Sequence, residues 1–482
     1  MQVAQSSASP LRASGRGGRL GVYLTVLAVG SGARVFGLAS QFVVLIILSR
    51  MLSKGSFGDL MTAFGFYRIA SAALGVGASL VLLYHVSRRP DDRTAEVRLH
   101  RYSAVLSAAI AAAIALLGFV LADPIAHALD KPGLAGWFRL LAPFAIFSTL
   151  LTTSTGALEG RSRISESIAL AEVAPNAVRI VLLPAIVWLD LPDAHVAHAM
   201  TLSVLIPWLW SGRRLWDRSV RGWQRWTAWD LSYCGKFVAA TLFANQLGAV
   251  DIVVAGILFP SEIVADYALA ARIAALYSFF QLALLKRFAP RAARLIEAKD
   301  FAALRQEFTL CRKLIIGCGA LTIAGILCVA PFLLPLFGNY AGAWTFLAWL
   351  AIPTFVQSFY DASDRLLIIA GQANIPLAAT AASFAMLGVA PFLLAPLIGP
   401  MAIPAAMIAS KLLFNPLVAA RVKTVFAITT IHVLDIAMMA AGIFALAAYA
   451  ITGAVAAGVA SVASLAAIAL YCCASAIRPT GR

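Results

Sequence analysis

Residues 57–84 read FGDLMTAFGFYRIASAALGVGASLVLLY, and this stretch decides the fold. It is almost wholly apolar, and at 1.5 Å per residue a helix of this length crosses a bilayer with residues to spare. Arg68 stands near its middle. The nearest acid in the stretch is Asp59, close to its start. An arginine at mid-membrane costs roughly 2.5–3.5 kcal/mol on an insertion scale. A segment that keeps one needs a partner or a task for it.

The rest of the chain has the same character. Its 482 residues are 61% hydrophobic and 12% charged, with a mean hydropathy of +0.87. A soluble domain of this size cannot hide so much apolar surface. The apolar runs are long and continuous rather than short and alternating, which specifies helices and not a barrel. The expected fold is an all-α polytopic membrane protein of about fourteen spans: 21–49, 57–84, 102–122, 135–158, 164–189, 195–212, 233–259, 263–286, 314–337, 341–361, 375–396, 401–420, 433–451 and 454–477. Only Thr452 and Gly453 part the last two. The first run is longer than the core of a signal peptide, so it reads as a retained helix.

Lys and Arg placement orients these spans. With the N-terminus in the cytoplasm, thirty of the 38 basic residues fall on inner segments and only Arg50, Lys54 and Lys131 on outer loops. This positive-inside bias puts both termini in the cytoplasm. The net charge of +16 is thus a topology signal, with no need of a nucleic-acid partner. Short outer loops leave no room for a catalytic domain, so a transporter is expected rather than an enzyme. No phosphate-cradling GxxxxGK[ST] is present, and no cofactor or metal is implied. His195 and His198 read as part of a polar outer loop, the six cysteines as apolar filler, and DASD at 361–364 as the inner end of the tenth span.

The two halves look related. SFGDLMTAFGFYRIASAA opens the second span and EIVADYALAARIAALYS the eighth. Asp59 and Asp266 align 207 residues apart, and each precedes an Arg-Ile-Ala, at Arg68 and Arg272. Spans 1–6 and 7–12 would be two parallel copies. The expected division is a cytoplasmic tail 1–20, an N-lobe 21–212, an amphipathic linker 213–232, a C-lobe 233–420, and two further helices with a tail over 421–482. In the linker, RRLWDRSVRGWQRWTAWD sets Arg214, Arg218, Arg221 and Arg225 on one helical face and Trp216, Val220, Trp223 and Trp226 on the other. This pattern predicts a helix lying in the membrane interface. In the basic segment 286–313, Phe301, Leu304, Phe308 and Cys311 make an apolar stripe at helical spacing.

Five basic residues lie within spans: Arg34, Arg68, Arg139, Arg179 and Arg272. Arg139 is close enough to the outer edge to snorkel. Arg34 and Arg68 fall near the midplane, about 20 Å and about 16 Å along their helices from the nearer counted end. Together with Arg272 they cost on the order of 8–10 kcal/mol to insert. Intramembrane charges mark wet cavities and substrate paths, and the arginine fork grips phosphate through paired hydrogen bonds. An anionic, phosphate-bearing substrate is one reading. Structural ion pairs, for instance Arg34 or Arg68 with Asp251 or Glu172, are the other. Glu172, Asn176 and Arg179 form one polar stripe on the fifth span, either lining the same cavity or bracing the helix internally. Asp251, near Asn245 and Gln246, is the candidate for a coupling cation or proton.

The run LSRMLSKGSFGDLMTAFGFYRIASAALGVGASLVLLYHVSR resembles the opening of polysaccharide (O-antigen, or Wzx-type) flippases of the multidrug/oligosaccharidyl-lipid/polysaccharide (MOP) exporter superfamily. The resemblance lies in the Leu-x-Arg-x-Leu turn, the Phe57-Gly58-Asp59 start and the glycine-rich close of the second span. It implies two six-helix lobes around a cationic cavity that opens alternately to each side. The implied substrate is an undecaprenyl-diphosphate-linked oligosaccharide. The implied partners are membrane lipids and the polysaccharide polymerase and export machinery, with the transporter itself a monomer. In related lipid II flippases, arginines on spans 1, 2 and 8 hold the diphosphate; Arg34, Arg68 and Arg272 fall on those spans. Spans 13 and 14 resemble the pair that lines a lipid groove in some members. The rivals are a multidrug exporter of the same superfamily and a membrane glycosyltransferase or polymerase. The first would want carboxylates in the N-lobe cavity. The second would want catalytic acids or a large outer loop.

Overall fold

The structure, a computed structural model, describes residues 32–88, 92–161, 163–215, 217, 219–232, 234–235 and 247–477. Outside the described residues lie the tail 1–20, the start of the first span, Trp216, Arg218, Asn245 and Gln246, and also the side chains of Arg34 and Arg214. Among the described residues there is no strand.

The N-lobe runs α1 (Gly32–Met51), α2 (Lys54–Arg88), α3 (Arg93–Val120), α4 (Ala122–Ala128), α5 (Pro132–Gly160), α6 (Ile164–Ile168), a π-helical turn (Ala169–Val173), α7 (Ala174–Trp188) and α8 (Ala194–Leu215). The C-lobe runs α9 (Leu247–Leu258), α10 (Ser261–Ala274), a 3₁₀ turn (Ala275–Ser278), α11 (Phe279–Glu297), α12 (Phe301–Leu333), α13 (Ala343–Ser358), α14 (Asp361–Ile369), α15 (Asn374–Ile398) and α16 (Ala402–Phe426). Then follow α17 (Val433–Thr452) and α18 (Val455–Ile477). Among the described residues, eight helical runs are long and apolar enough to cross a membrane.

Lipid tails are as apolar as leucine, so helices in a bilayer associate through close packing of small residues more than by hiding apolar surface. The α2–α5 pair at the centre of the N-lobe shows this. Gly75 lies against Thr152, Gly156 against the Ser79 backbone, and Gly160 against Val86. Thr149, Thr153 and Ser154 turn their hydroxyls back onto carbonyls one turn earlier in α5, so the buried polar atoms are satisfied. In the C-lobe, α18 packs on α12, where Gly317 meets Ala469, Cys472 and Cys473, and α17 packs on α13, where Gly442 meets Phe355. An Arg312–Asp435 ion pair ties the start of α17 to α12.

Several expectations need correction. The linker is not an amphipathic helix: residues 220–227 are irregular, and helix resumes only at 228–232. Gly222 has a φ of +93°, which a helix cannot accommodate. The backbone carbonyls that a helix would use internally are claimed by the start of α3 instead. Arg98 donates to the Arg221 carbonyl, and Arg101 to those of Val220 and Asp217. Trp226 donates to Ser103 at 2.8 Å, and Asp230 pairs with His85 at 2.6 Å. The eighth span is broken after Arg272 by the 3₁₀ turn, and the fifth carries a π turn at Glu172. The segment 286–313 is a hairpin between α11 and α12; its apolar stripe is buried at Leu304, Phe308 and Cys311 but not at Phe301.

Because α5 needs a glycine where it touches Ser79, Gly156→Leu is expected to destabilise the N-lobe by about 1–3 kcal/mol through overpacking. Gly136→Leu, at an exposed site with nothing within 4 Å of a Cβ, leaves stability unchanged. Tryptophan-monitored thermal unfolding in detergent reads both, with a drop of several degrees for the first only.

Candidate functional site

The lobes meet along α2. Its start packs on α10 and its next turns on α9. Three small residues make the approach possible. A Cβ at Gly58 would run into the Ser261 backbone, Gly65 faces Val253 and Ala249, and Thr62 fills the space opened by Gly256. The end of α1 adds a further bridge, with Arg50 donating to the carbonyls of Leu336 at 2.7 Å and Pro335 at 3.1 Å. All of these crossings lie at one end, the outer end in the orientation that the basic loops predict. From Gly58 to Gly65 the seal is about 10 Å deep. Arg68 comes one turn further along α2.

Three guanidinium groups converge there. Arg68 comes from α2, Arg179 from α7 and Arg272 from the last turn of α10. Arg272 feels the charges of both Arg68 and Arg179, and Asp251 on α9 acts on both Arg68 and Arg272. Among the described residues, none of the three arginines makes a salt bridge. Arg68 and Arg272 donate no side-chain hydrogen bond either, and all three are only partly buried. Among the described residues, none of their nitrogens is both fully buried and without a partner. Arg68 and Arg272 share one carboxylate, that of Asp251. The ion-pair alternative, Arg68 bonded to Asp251 or Glu172, is therefore not what the structure holds.

Each member is positioned by its neighbours. Arg179 donates to Ser203 on α8 at 2.9 Å and to Asn176 at 3.4 Å, with its guanidinium 6.0 Å from the Phe64 ring centre. Asn176 in turn donates to the Gly37 carbonyl on α1 at 3.4 Å and to that of Glu172 at 3.0 Å. Asn176 and Arg179 thus act as one unit that joins α7 to α1 and α8. Glu172 is exposed and does not brace Arg179; the π turn swings it off the stripe that a regular helix would form. Asp251 is almost fully buried, accepting from the Tyr267 hydroxyl and the Ile252 amide, each at 2.8 Å.

The sequence reading passed over a second polar cluster. Gln357 donates to Asp361 at 2.7 Å and Asp364 at 3.1 Å, and Asn415 donates back to Gln357 at 2.9 Å, with Lys411 close enough to act on both acids. The signal was present as two aspartates three residues apart on one helix face. A cavity of about 400 Å³ lies at the far end of α2, between Tyr84, His85, Arg88, Glu96, Gln224 and Trp229, about 24 Å along the helix from Arg68 and separate from the arginine cluster. His195 and His198 have ring centres 5.6 Å apart, and among the described residues no three metal-binding side chains cluster.

Comparison with known proteins follows the same lines. Residues 29–287 match the family described as polysaccharide biosynthesis protein, and residues 238–393 match the MatE family. No curated protein matches the chain. An inward-facing multidrug resistance MATE family transporter of the MOP superfamily superposes with a TM-score of 0.70 at 15% identity, covering 80% of this chain and 95% of that one. An outward-facing structure of such a transporter reaches 0.60 at 14% identity, covering 83% and 95%. A MOP superfamily transporter from Pyrococcus furiosus, whose binding pocket is described as reversed in polarity, reaches 0.60 at 15% identity, covering 83% and 96%.

Removing the Tyr267 hydroxyl leaves the buried Asp251 carboxylate one donor short. Tyr267→Phe is therefore expected to destabilise by about 1–3 kcal/mol. Asp251→Asn combined with it should recover part of that loss, which thermal unfolding of the two single variants and the double variant measures.

Proposed function

This chain belongs to the polysaccharide biosynthesis protein family and is a membrane transporter of the MOP superfamily, and from that premise we propose that it is a flippase for an undecaprenyl-diphosphate-linked oligosaccharide destined for the cell surface. One observation carries the reading: guanidinium groups from both lobes, Arg68 and Arg179 from one and Arg272 from the other, act electrostatically on one another, and none of them is held in a salt bridge. A diphosphate supplies the missing negative charge, and each arginine can meet it with paired, charge-assisted hydrogen bonds. Arg34, one span away on α1, is the fourth candidate ligand. Asn176 holds Arg179 in position, and Glu172 stands at the rim.

In this mechanism the lipid-linked substrate enters from the cytoplasmic side with its diphosphate on the arginines and its lipid tail in the bilayer, beside α17 and α18. Rearrangement of the lobes then exposes it to the other side. Asp251 couples the cycle: it is the internal anion nearest to Arg68 and Arg272, so a cation or proton bound to it changes the charge that the substrate meets. An elementary charge crossing 100 mV is worth about 2.3 kcal/mol, enough to bias such a step. The transporter works as a monomer in the bacterial inner membrane with both termini in the cytoplasm, handing its cargo to polymerase and export machinery.

Multidrug export is the second reading, supported by the MatE match over the C-lobe. The excess of positive charge works against it, because a cationic drug would be repelled.

Arg68→Ala and Arg272→Ala are each expected to abolish surface-polysaccharide export while the protein still inserts normally. In detergent, each should weaken binding of undecaprenyl diphosphate roughly tenfold or more, the worth of a hydrogen bond to a charged group. Wild-type export by both variants, or tighter binding of a cationic dye than of the diphosphate lipid, would overturn the flippase reading.

A further inference from the structure

The end of the molecule that closes the lobes has its own symmetry. At an offset of 207 residues, Lys54, the first residue of α2, falls on Ser261, the first residue of α10, and Asp59 falls on Asp266. The side chains bond across the lobes in a crossed pattern. Lys54 reaches Asp266 at 2.8 Å, and Ser261 donates to Asp59. The fifth residue after the start of each helix therefore accepts from the first residue of the other. Each carboxylate also sits in a glycine seat at the start of a later helix of its own lobe, α5 for Asp59 and α13 for Asp266. A Cβ at Gly133 would run into Asp59, and one at Gly342 into Asp266. Both aspartates are buried.

A second ring repeats the crossing. Lys131, beside the Gly133 seat in the N-lobe, donates to the Gly256 carbonyl of α9 at 2.6 Å. Tyr340, beside the Gly342 seat in the C-lobe, sets its ring edge against Phe57 of α2, with centres 5.7 Å apart, and Lys54 lies over it at 5.6 Å. Both contacts run from the start of one lobe's helix to the other lobe's central helices. The substantial helix contacts between the lobes, among the described residues, lie at this end.

We propose that Lys54–Asp266 and Ser261–Asp59 are the two halves of a reciprocal latch that holds the transporter closed on this side and must part before the arginine site can be reached from it. The halves are unequal: one is an ion pair and the other a hydroxyl–carboxylate bond. The Lys54 half therefore sets most of the closing force, and the Ser261 half keeps the register. Opening strips two buried carboxylates of their partners at once, so the two halves release together. The latch depends only on the two-lobe transporter fold, and it holds whether the cargo is a lipid diphosphate or another molecule.

The test needs no substrate. In a background with the six native cysteines replaced, spin labels go on Asp193→Cys and Asn339→Cys, exposed loop positions on opposite lobes. Pulsed electron spin resonance on the full chain in nanodiscs then reads the separation of the lobes. The unaltered latch should give one short distance. Lys54→Asp should move the ratio of long to short distances about tenfold toward long, given the strength of a hydrogen bond to a charged group. The reversal Lys54→Asp with Asp266→Lys should return it, and Ser261→Ala should move it about threefold. Lys54→Gln, which brings no like charges together, guards against misfolding and should shift the ratio in the same direction. An unchanged distribution in Lys54→Gln and Lys54→Asp, or a reversal no closer to wild type than Lys54→Asp, overturns the latch.

Discussion

Positive charge without local compensation is the constraint on which the site depends. Arg68, Arg179 and Arg272 lie within electrostatic range of one another, with Asp251 as the shared anion of Arg68 and Arg272. In a low-dielectric setting such an arrangement is costly unless water or an anionic ligand completes it. Where α2 carries Gly58, Thr62 and Gly65, the backbones of the two lobes approach. One turn later the same helix carries Arg68.

Departures from regular helix cluster at the same place. The 3₁₀ turn begins three residues after Arg272, and the π turn contains Glu172. Such turns often mark functional sites or hinges, because they re-aim side chains and weaken the regular ladder of hydrogen bonds. Here one displaces Glu172 from Arg179, and the other separates α10 from α11 just beyond the cluster. Asn176 and Ser203 then hold Arg179 in place without neutralising it, since both are uncharged.

Much of this was legible in the sequence. Each of the fourteen apolar runs coincides with a described helix or its described part, because length and hydropathy are local properties that the bilayer reads directly. Arg68 and Arg272 stood out for the same reason: a midplane charge is conspicuous against an apolar run. The linker was misread. Its Arg and Trp spacing suits a helix, but Gly222 and the arginines at the start of α3 draw its backbone into an irregular path. The Glu172–Arg179 brace failed similarly, since a π turn shifts the phase of a stripe without changing its residues. The Gln357 cluster was missed because its members lie on three helices that only folding brings together.

By itself, then, the sequence determined the helical membrane class, the spans, and which charges had to be explained, because each follows from a residue's own transfer cost into lipid. It also supplied the repeat that aligns Asp59 with Asp266. Only the tertiary structure decided what those residues face. Asp59 and Asp266 could have served a cation site, yet each accepts from the other lobe's first helical residue. Arg68 could have been paired, yet the partner within reach is shared. Partner choice depends on distances between helices far apart in the chain, and those are set by where glycines allow backbones to touch.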